Sequence, residues 1–147
     1  MVEIIGIGHV VLKVRDLKRS KAFYMDDLGF KYSGSREGMV FLRCSGSHHD
    51  IALLEVGTAA LTPSDHHLGL FHVAFKVPSY LHLKEAYKTL KEKGVTIIGA
   101  VDHVVSKSFY IADPDGSVVE LYSDSTEGDW RSRTNPFIKD YPLSLEE

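Results

Sequence analysis

Positions 8–14 read GHVVLKV and positions 71–77 read FHVAFKV. Both runs are strand-like, and each carries a histidine on its second residue, His9 in the first and His72 in the second. Val10 and Val73, Lys13 and Lys76, and Val14 and Val77 recur at the same spacing of 63 residues. An accident of β-propensity explains two apolar strands. It gives no reason for a histidine at the same place in both.

The repeat extends beyond the two strands. After GHVVLKV comes RDLKRSKAFYMDDLGF, where Asp16 is placed to cap a helix, Leu17, Ala22, Phe23, Tyr24 and Leu28 are its apolar members, and Gly29 ends it. After FHVAFKV comes PSYLHLKEAYKTLKEKG, with Ser79 as cap, the stripe Leu83, Ala86, Tyr87, Leu90, and Gly94 as stop. Short strand-like pieces trail each helix: FKYSGS, MVFLRCS and DIALLEV in the first half, and TIIGAV, SFYIAD and SVVELYS around the turn DPDG in the second. Both halves read β-α-β-β-β. The spacing predicts an α+β protein of one domain, 1–147, with module 1 over about 4–57, a Gly- and Pro-bearing join over 58–69, module 2 over about 68–123, and a tail over 124–147. A single such module leaves one sheet face uncovered, and pairing two modules into an open, cleft-forming barrel covers it. The tail, polar with scattered aromatics and two prolines, is expected to wrap the surface or lid the cleft rather than join a sheet.

Composition narrows the function classes. The chain has 147 residues, 44% hydrophobic and 25% charged, as in an ordinary globular protein. A formal net charge of −3 leaves no basic stripe for nucleic acid. One cysteine, Cys44, makes no internal disulfide, and a reducing compartment is its simplest setting. The apolar start MVEIIGIGHVVLKV lacks a basic n-region and is too short to cross a bilayer, so it reads as a core strand of a cytoplasmic protein with no membrane role.

Strand side chains alternate between faces. Val10, Leu12 and Val14 form a uniformly apolar set that belongs under the helix, which turns His9, Val11 and Lys13 toward the cleft. The same parity turns His72, Ala74 and Lys76 inward, and in SVVELYS it turns Val118, Glu120 and Tyr122 inward. A lone strand histidine is more often a hydrogen-bonded core or rim residue, and a lone strand glutamate is usually solvated. Here two histidines at equivalent positions and a carboxylate of the right parity converge. Imidazole and carboxylate suit Fe(II), Mn(II), Ni(II), Co(II) or Zn(II), and two histidines with one carboxylate form the facial triad of non-haem iron oxygenases. His9, His72 and Glu120 are the candidate metal ligands.

The segments IGHVVLKVRDLKRSKAFYMDDLGF, LGLFHVAFKV and FYIADPDGSVVELY resemble the vicinal oxygen chelate superfamily, which includes glyoxalase I, fosfomycin- and bleomycin-resistance proteins and type I extradiol dioxygenases. The resemblance covers about residues 4–123. Three features are similar to the extradiol enzymes. His49 in SHHDIALLEV matches their acid–base histidine, Tyr110 stands ten residues before the ligand glutamate as theirs does, and His103 matches more loosely a histidine preceding that tyrosine. Most such enzymes carry an additional N-terminal pair of modules, so this chain resembles the rarer one-domain forms.

The resemblance implies an Fe(II)-dependent extradiol dioxygenase, an enzyme of aromatic compound catabolism that cleaves a catechol-type aromatic diol with O2. Its metal ligands would be His9, His72 and Glu120, with Mn(II), Ni(II) or Zn(II) as alternatives to iron. His49 would be the acid–base, Tyr110 would hydrogen-bond a substrate oxygen, and His103 would support that contact. The resemblance also implies a homo-oligomer. The alternatives it leaves open are a glyoxalase I-like lyase or isomerase or related transferase, with Glu55 as candidate fourth ligand, and a metal-free drug-binding protein. Strand parity leaves Glu55 open, since a one-residue bulge decides which way it faces. From the residues alone, His49 reads equally as a solvated loop histidine and Tyr110 as half-buried strand packing. His48, His66, His67 and His82 read as exposed.

Overall fold

The computed structural model describes residues 1–126 and 130–146. The chain divides into two compact units, Met1–Thr62 and Pro63–Glu147.

The first unit runs β1 (Val10–Val14), α1 (Leu17–Ala22) continuing into a π-helical turn (Phe23–Asp27), β2 (Lys31–Arg36), β3 (Met39–Arg43) and β4 (Ile51–Glu55). Its sheet has the order β1-β4-β3-β2, with β1 and β4 parallel and the other pairs antiparallel. Asp16 is extended and its Oδ1 accepts from Arg19 N at 2.7 Å, an N-cap that satisfies one orphan donor of the first turn. Gly29 ends the element at φ +80°, a left-handed conformation that costs glycine little. Leu12 and Val14 are buried while Val11 and Lys13 are exposed, so the alternation read from sequence holds. Leu42, Ile51 and Leu53 complete the core, with Tyr24 packed edge-on to Phe23 and Phe30.

The second unit runs β5 (Val73–Lys76), α2 (Tyr80–Glu92), β6 (Ile97–Asp102), β7 (Ser106–Ala112), β8 (Val118–Asp124), a 3-10 turn (Trp130–Ser132) and β9 (Tyr141–Pro142). Its sheet order is β5-β8-β7-β6-β9. Ser79 caps α2, and Leu83, Tyr87 and Leu90 bury the predicted stripe against β7 and β8. Tyr87 meets Phe109 edge-on at 5.5 Å, and Phe109, Ile111 and Val119 are fully buried. The β7–β8 turn is held by Asp113, whose Oδ1 accepts from Asp115 N and Ser117 N. Each unit is thus the expected βαβββ arrangement, and the class is α+β.

Two expectations need correction. The histidines do not lie within their strands: β1 and β5 start at Val10 and Val73, one residue after His9 and His72. Pairing in the first unit begins where Val10 N meets Asp50 O, which leaves residues 1–9 outside any ladder. The tail, in turn, does join a sheet. β9 pairs antiparallel with β6 at its edge, where proline is tolerated because no further strand needs its missing N–H. Beyond β9, Glu146 Oε1 accepts from Tyr87 Oη and Lys91 Nζ, both at 2.6 Å, and Leu145 is buried.

The repeat also includes the segments ahead of the first strands. Ile5 and Leu68, and Ile7 and Leu70, occupy equivalent positions, and all four are exposed.

Phe109 anchors the second core, so Phe109→Ala should lower unfolding free energy by about 3–5 kcal/mol. Val11→Ala, on an exposed position, should stay within about 0.5 kcal/mol. Urea denaturation followed by circular dichroism reads both.

Candidate metal centre

Parity on three neighbouring strands builds the centre of the second unit. Glu120 on β8 stands opposite Ala74 on β5 and opposite Tyr110 on β7, so Tyr110 shares its face and His72, two residues before Ala74, reaches the same side. The result is a bonded cluster. His72 Nε2 lies 3.0 Å from Glu120 Oε2, and Ser108 Oγ donates to Glu120 Oε1 at 2.5 Å. Glu120 is only 8% exposed, and Ser108 is fully buried. The His72 and Tyr110 rings approach to 5.7 Å between centroids.

These donors fit a divalent ion. Two ligands each about 2.0–2.2 Å from a metal, at right angles, stand about 3 Å apart. The His72–Glu120 separation has that value. Ser108 occupies one carboxylate oxygen and leaves the other directed at His72, the kind of outer partner that orients a metal-binding carboxylate. His72 Nδ1 is buried with no hydrogen-bond partner among the described residues. Among the described residues no group of three or more His, Cys, Asp or Glu side chains is arranged to hold a metal ion. Of the three residues expected from the sequence, His72 and Glu120 meet in the second unit, and His9 lies in the first.

Beside the His72–Glu120 pair runs a chain of polar groups. Tyr110 Oη lies 2.7 Å from His103 Nε2, and His103 Nδ1 lies 2.6 Å from Asp140 Oδ1. The Tyr110 hydroxyl is pushed up to about 12 by burial first, and then by the neighbouring Glu120 carboxylate. It therefore keeps its proton at neutral pH and can donate. His103 sits in the β6–β7 turn, where the following residue, Val104, has φ +70°.

The first unit assembles a second cluster. The His9 and His49 rings lie 4.4 Å apart, Phe41 meets His49 edge-on at 5.2 Å, and His48 Nδ1 is 2.6 Å from His49 Nδ1. Asp50 holds this loop: its carboxylate accepts from Cys44 N, Ser45 N and Ser45 Oγ. The His49 imidazole is held below its ordinary value, by desolvation first and then by His9 and His48. It is a neutral base near pH 7. Cys44 is pushed up to about 11 by burial and by Asp50, which makes it a poor nucleophile. The β1–β4 and β3–β4 registers run without a bulge, so Glu55 stands opposite Val14 on the helix-facing side. There its Oε2 accepts from Leu17 N at 2.7 Å, a first-turn donor of α1. That carboxylate already has a structural task.

Sequence reasoning missed Ser108 and Asp140. Ser108 could have been found by parity, as a small polar residue on the Glu120 face of SFYIAD. Asp140 lies 37 residues from its partner in an irregular tail and carries no such signal.

Residues 6–121 match the model of the Glyoxalase/Bleomycin resistance protein/Dioxygenase superfamily. Catechol-2,3-dioxygenase of Bacillus subtilis (strain 168) is 34% identical over 133 residues, 90% of this chain and 46% of that protein, so the chain spans under half of that relative's length. Metallothiol transferase FosB of Staphylococcus haemolyticus (strain JCSC1435) is 30% identical over 124 residues, 83% of this chain and 86% of that one. The crystal structure of lactoylglutathione lyase from Agrobacterium tumefaciens superposes with a TM-score of 0.67 at 21% identity, over 86% of this chain and 98% of that one, a likeness of fold. With the family model spanning most of the chain, this protein belongs to the glyoxalase/bleomycin resistance/dioxygenase superfamily.

Proposed function

We propose that this chain is an Fe(II)-dependent extradiol dioxygenase that opens the ring of a catechol-type diol with O2, and that His9, His72 and Glu120 hold the metal within a single domain formed by the two units. The observation that carries this reading is the 3.0 Å approach of His72 Nε2 to Glu120 Oε2, with Ser108 holding the remaining carboxylate oxygen. The similarity to a catechol-2,3-dioxygenase supports the substrate class.

Bound iron would supply Lewis acidity toward the vicinal hydroxyls and a redox route between diol and O2. The chain's own residues then divide the remaining work. Ser108 fixes the rotamer of Glu120. Tyr110, whose single proton is directed at His103, hydrogen-bonds a substrate hydroxyl through its oxygen. His103 Nε2 holds the Tyr110 hydroxyl in place. His49, neutral near pH 7 and engaged with His48 through Nδ1, takes a hydroxyl proton at Nε2 and returns it later in the cycle.

A metal-dependent transferase or lyase on the same scaffold is the second reading, favoured by the match to nearly the full length of the FosB transferase. A glyoxalase-type fourth ligand is opposed by the engagement of Glu55 with the start of α1. A cytoplasmic, homo-oligomeric enzyme completes the proposal. Among the described residues no helix is long and apolar enough to cross a membrane, and the exposed Ile5, Ile7, Leu68 and Leu70 give an association surface something to bury.

Protein prepared without oxygen and loaded with Fe(II) should convert a panel of substituted catechols to yellow ring-opened products, followed by visible absorbance. No turnover across the panel, with metal bound, would reject the dioxygenase assignment. His49→Gln should retain iron and slow turnover by about 10²-fold or more. Because the His49 pKa is lowered, the acid limb of kcat/KM assigned to it should fall below 6.5 in the wild type, and that limb should vanish in the Gln variant.

A further inference from the structure

We propose that Asp140, brought by the C-terminal tail, is a positioning residue: it sets which ring nitrogen of His103 carries the proton, and so turns the Tyr110 hydroxyl away from Glu120. Its meaning for catalysis rests on the function proposed above. Its structural content does not.

An ionised carboxylate only accepts hydrogen bonds. Asp140 Oδ1 lies 2.6 Å from His103 Nδ1, so Nδ1 must carry the hydrogen. In a neutral imidazole the other nitrogen, Nε2, then presents a lone pair. Tyr110 Oη sits 2.7 Å from that nitrogen, and a phenol has one proton to give. Donated to His103, that proton is not donated to Glu120, which stands directly opposite Tyr110 across the β7–β8 ladder. Glu120 then keeps Oε1 for Ser108 and Oε2 for the His72 side, where a metal would bind. In the opposite tautomer His103 Nε2–H would donate to Tyr110 Oη. The phenol proton would then swing toward Glu120 and occupy a ligand oxygen.

The fold spends several devices on this arrangement. β9 pairs with β6 at Asp102–Tyr141 and Val101–Pro142, so the residue just before β9 is laid beside the residue just after β6. The Glu146 bonds to Tyr87 and Lys91 tie down the far side of the tail. On the His103 side, Val104 adopts φ +70°, which a β-branched residue enters only under constraint. Its N–H is caught by Asp102 Oδ1 at 2.8 Å, and His103 N is bonded to Ser106 O at 2.9 Å. His103 is therefore pinned from its backbone by a strained turn and from its ring by the tail. Strain of this kind beside a functional histidine is expected where orientation matters more than local stability.

The test reads the tautomer directly. Metal-free protein labelled with 15N-histidine is studied by long-range 1H–15N NMR at about pH 8, above the ordinary histidine value, with His103 assigned by the loss of its signals in His103→Gln. The wild type should show a neutral ring protonated at Nδ1. Asp140→Asn, whose amide oxygen still accepts, should keep that tautomer, whereas Asp140→Ala should average the two. In the iron-loaded enzyme, kcat should fall about tenfold in Asp140→Ala and recover in Asp140→Asn, the usual scale for a partner that orients a site. An Nε2–H or doubly protonated ring in the wild type overturns the proposal, as does an Asp140→Ala spectrum matching wild type. If the alanine variant releases the tail strand, the asparagine variant decides alone, and mixed tautomers there overturn the proposal. An enzyme without ring-cleaving activity that still shows the tautomer pattern overturns the proposed function and leaves this inference standing.

Discussion

Glu120 is a carboxylate placed in the middle of a strand and almost removed from water. Withdrawing such a charge costs several kcal/mol unless its oxygens find partners. The second unit meets that demand with two side chains on the same sheet face: Ser108 on one oxygen and His72 on the other. A core strand has no structural need for a glutamate at this position, since valine or leucine would pack more simply. Retaining a buried acid and surrounding it with a histidine, a tyrosine and a serine makes sense when the acid has a ligand to hold. Every other polar group of the cluster is placed relative to this carboxylate.

The first unit shows the complementary solution. Its own strand-end glutamate, Glu55, lies on the opposite parity and caps the start of α1. The residue standing where Glu120 stands in the equivalent ladder is Ala52, opposite Val11 as Glu120 is opposite Ala74. The duplicated fold has therefore diverged in chemistry while keeping its backbone. One copy carries a buried carboxylate, and the other carries a cluster of His9, His48 and His49 on a loop fastened by Asp50. In the proposed function that division gives the two halves unlike tasks, with an acid ligand in one and a proton acceptor in the other.

Much of this was legible in the sequence because the informative features are local or periodic. The 63-residue repeat, the caps Asp16 and Ser79, the glycine stops and the inward parity of Glu120 all follow from alternation and helix-end chemistry. The exact start of the first strands was not legible. Strand onset depends on where a partner supplies hydrogen bonds, and no property of His9 or His72 reports that. β9 and Asp140 escaped for a related reason. A two-residue edge strand has no period to detect, and its partner β6 is distant in sequence. Ser108 lay within reach of the parity argument, but serine in a strand usually signals only solvent exposure. Here it is fully buried because a carboxylate needs it.

The central claim is that His9, His72 and Glu120 bind one divalent ion together. Anomalous diffraction at the iron edge, from crystals grown with Fe(II) in the absence of oxygen, tests it most directly. A single peak about 2.0–2.2 Å from His72 Nε2, Glu120 Oε2 and one ring nitrogen of His9 is the predicted result. A peak held by Glu55 as well, or an ion bound to Glu120 without His9, would contradict the account.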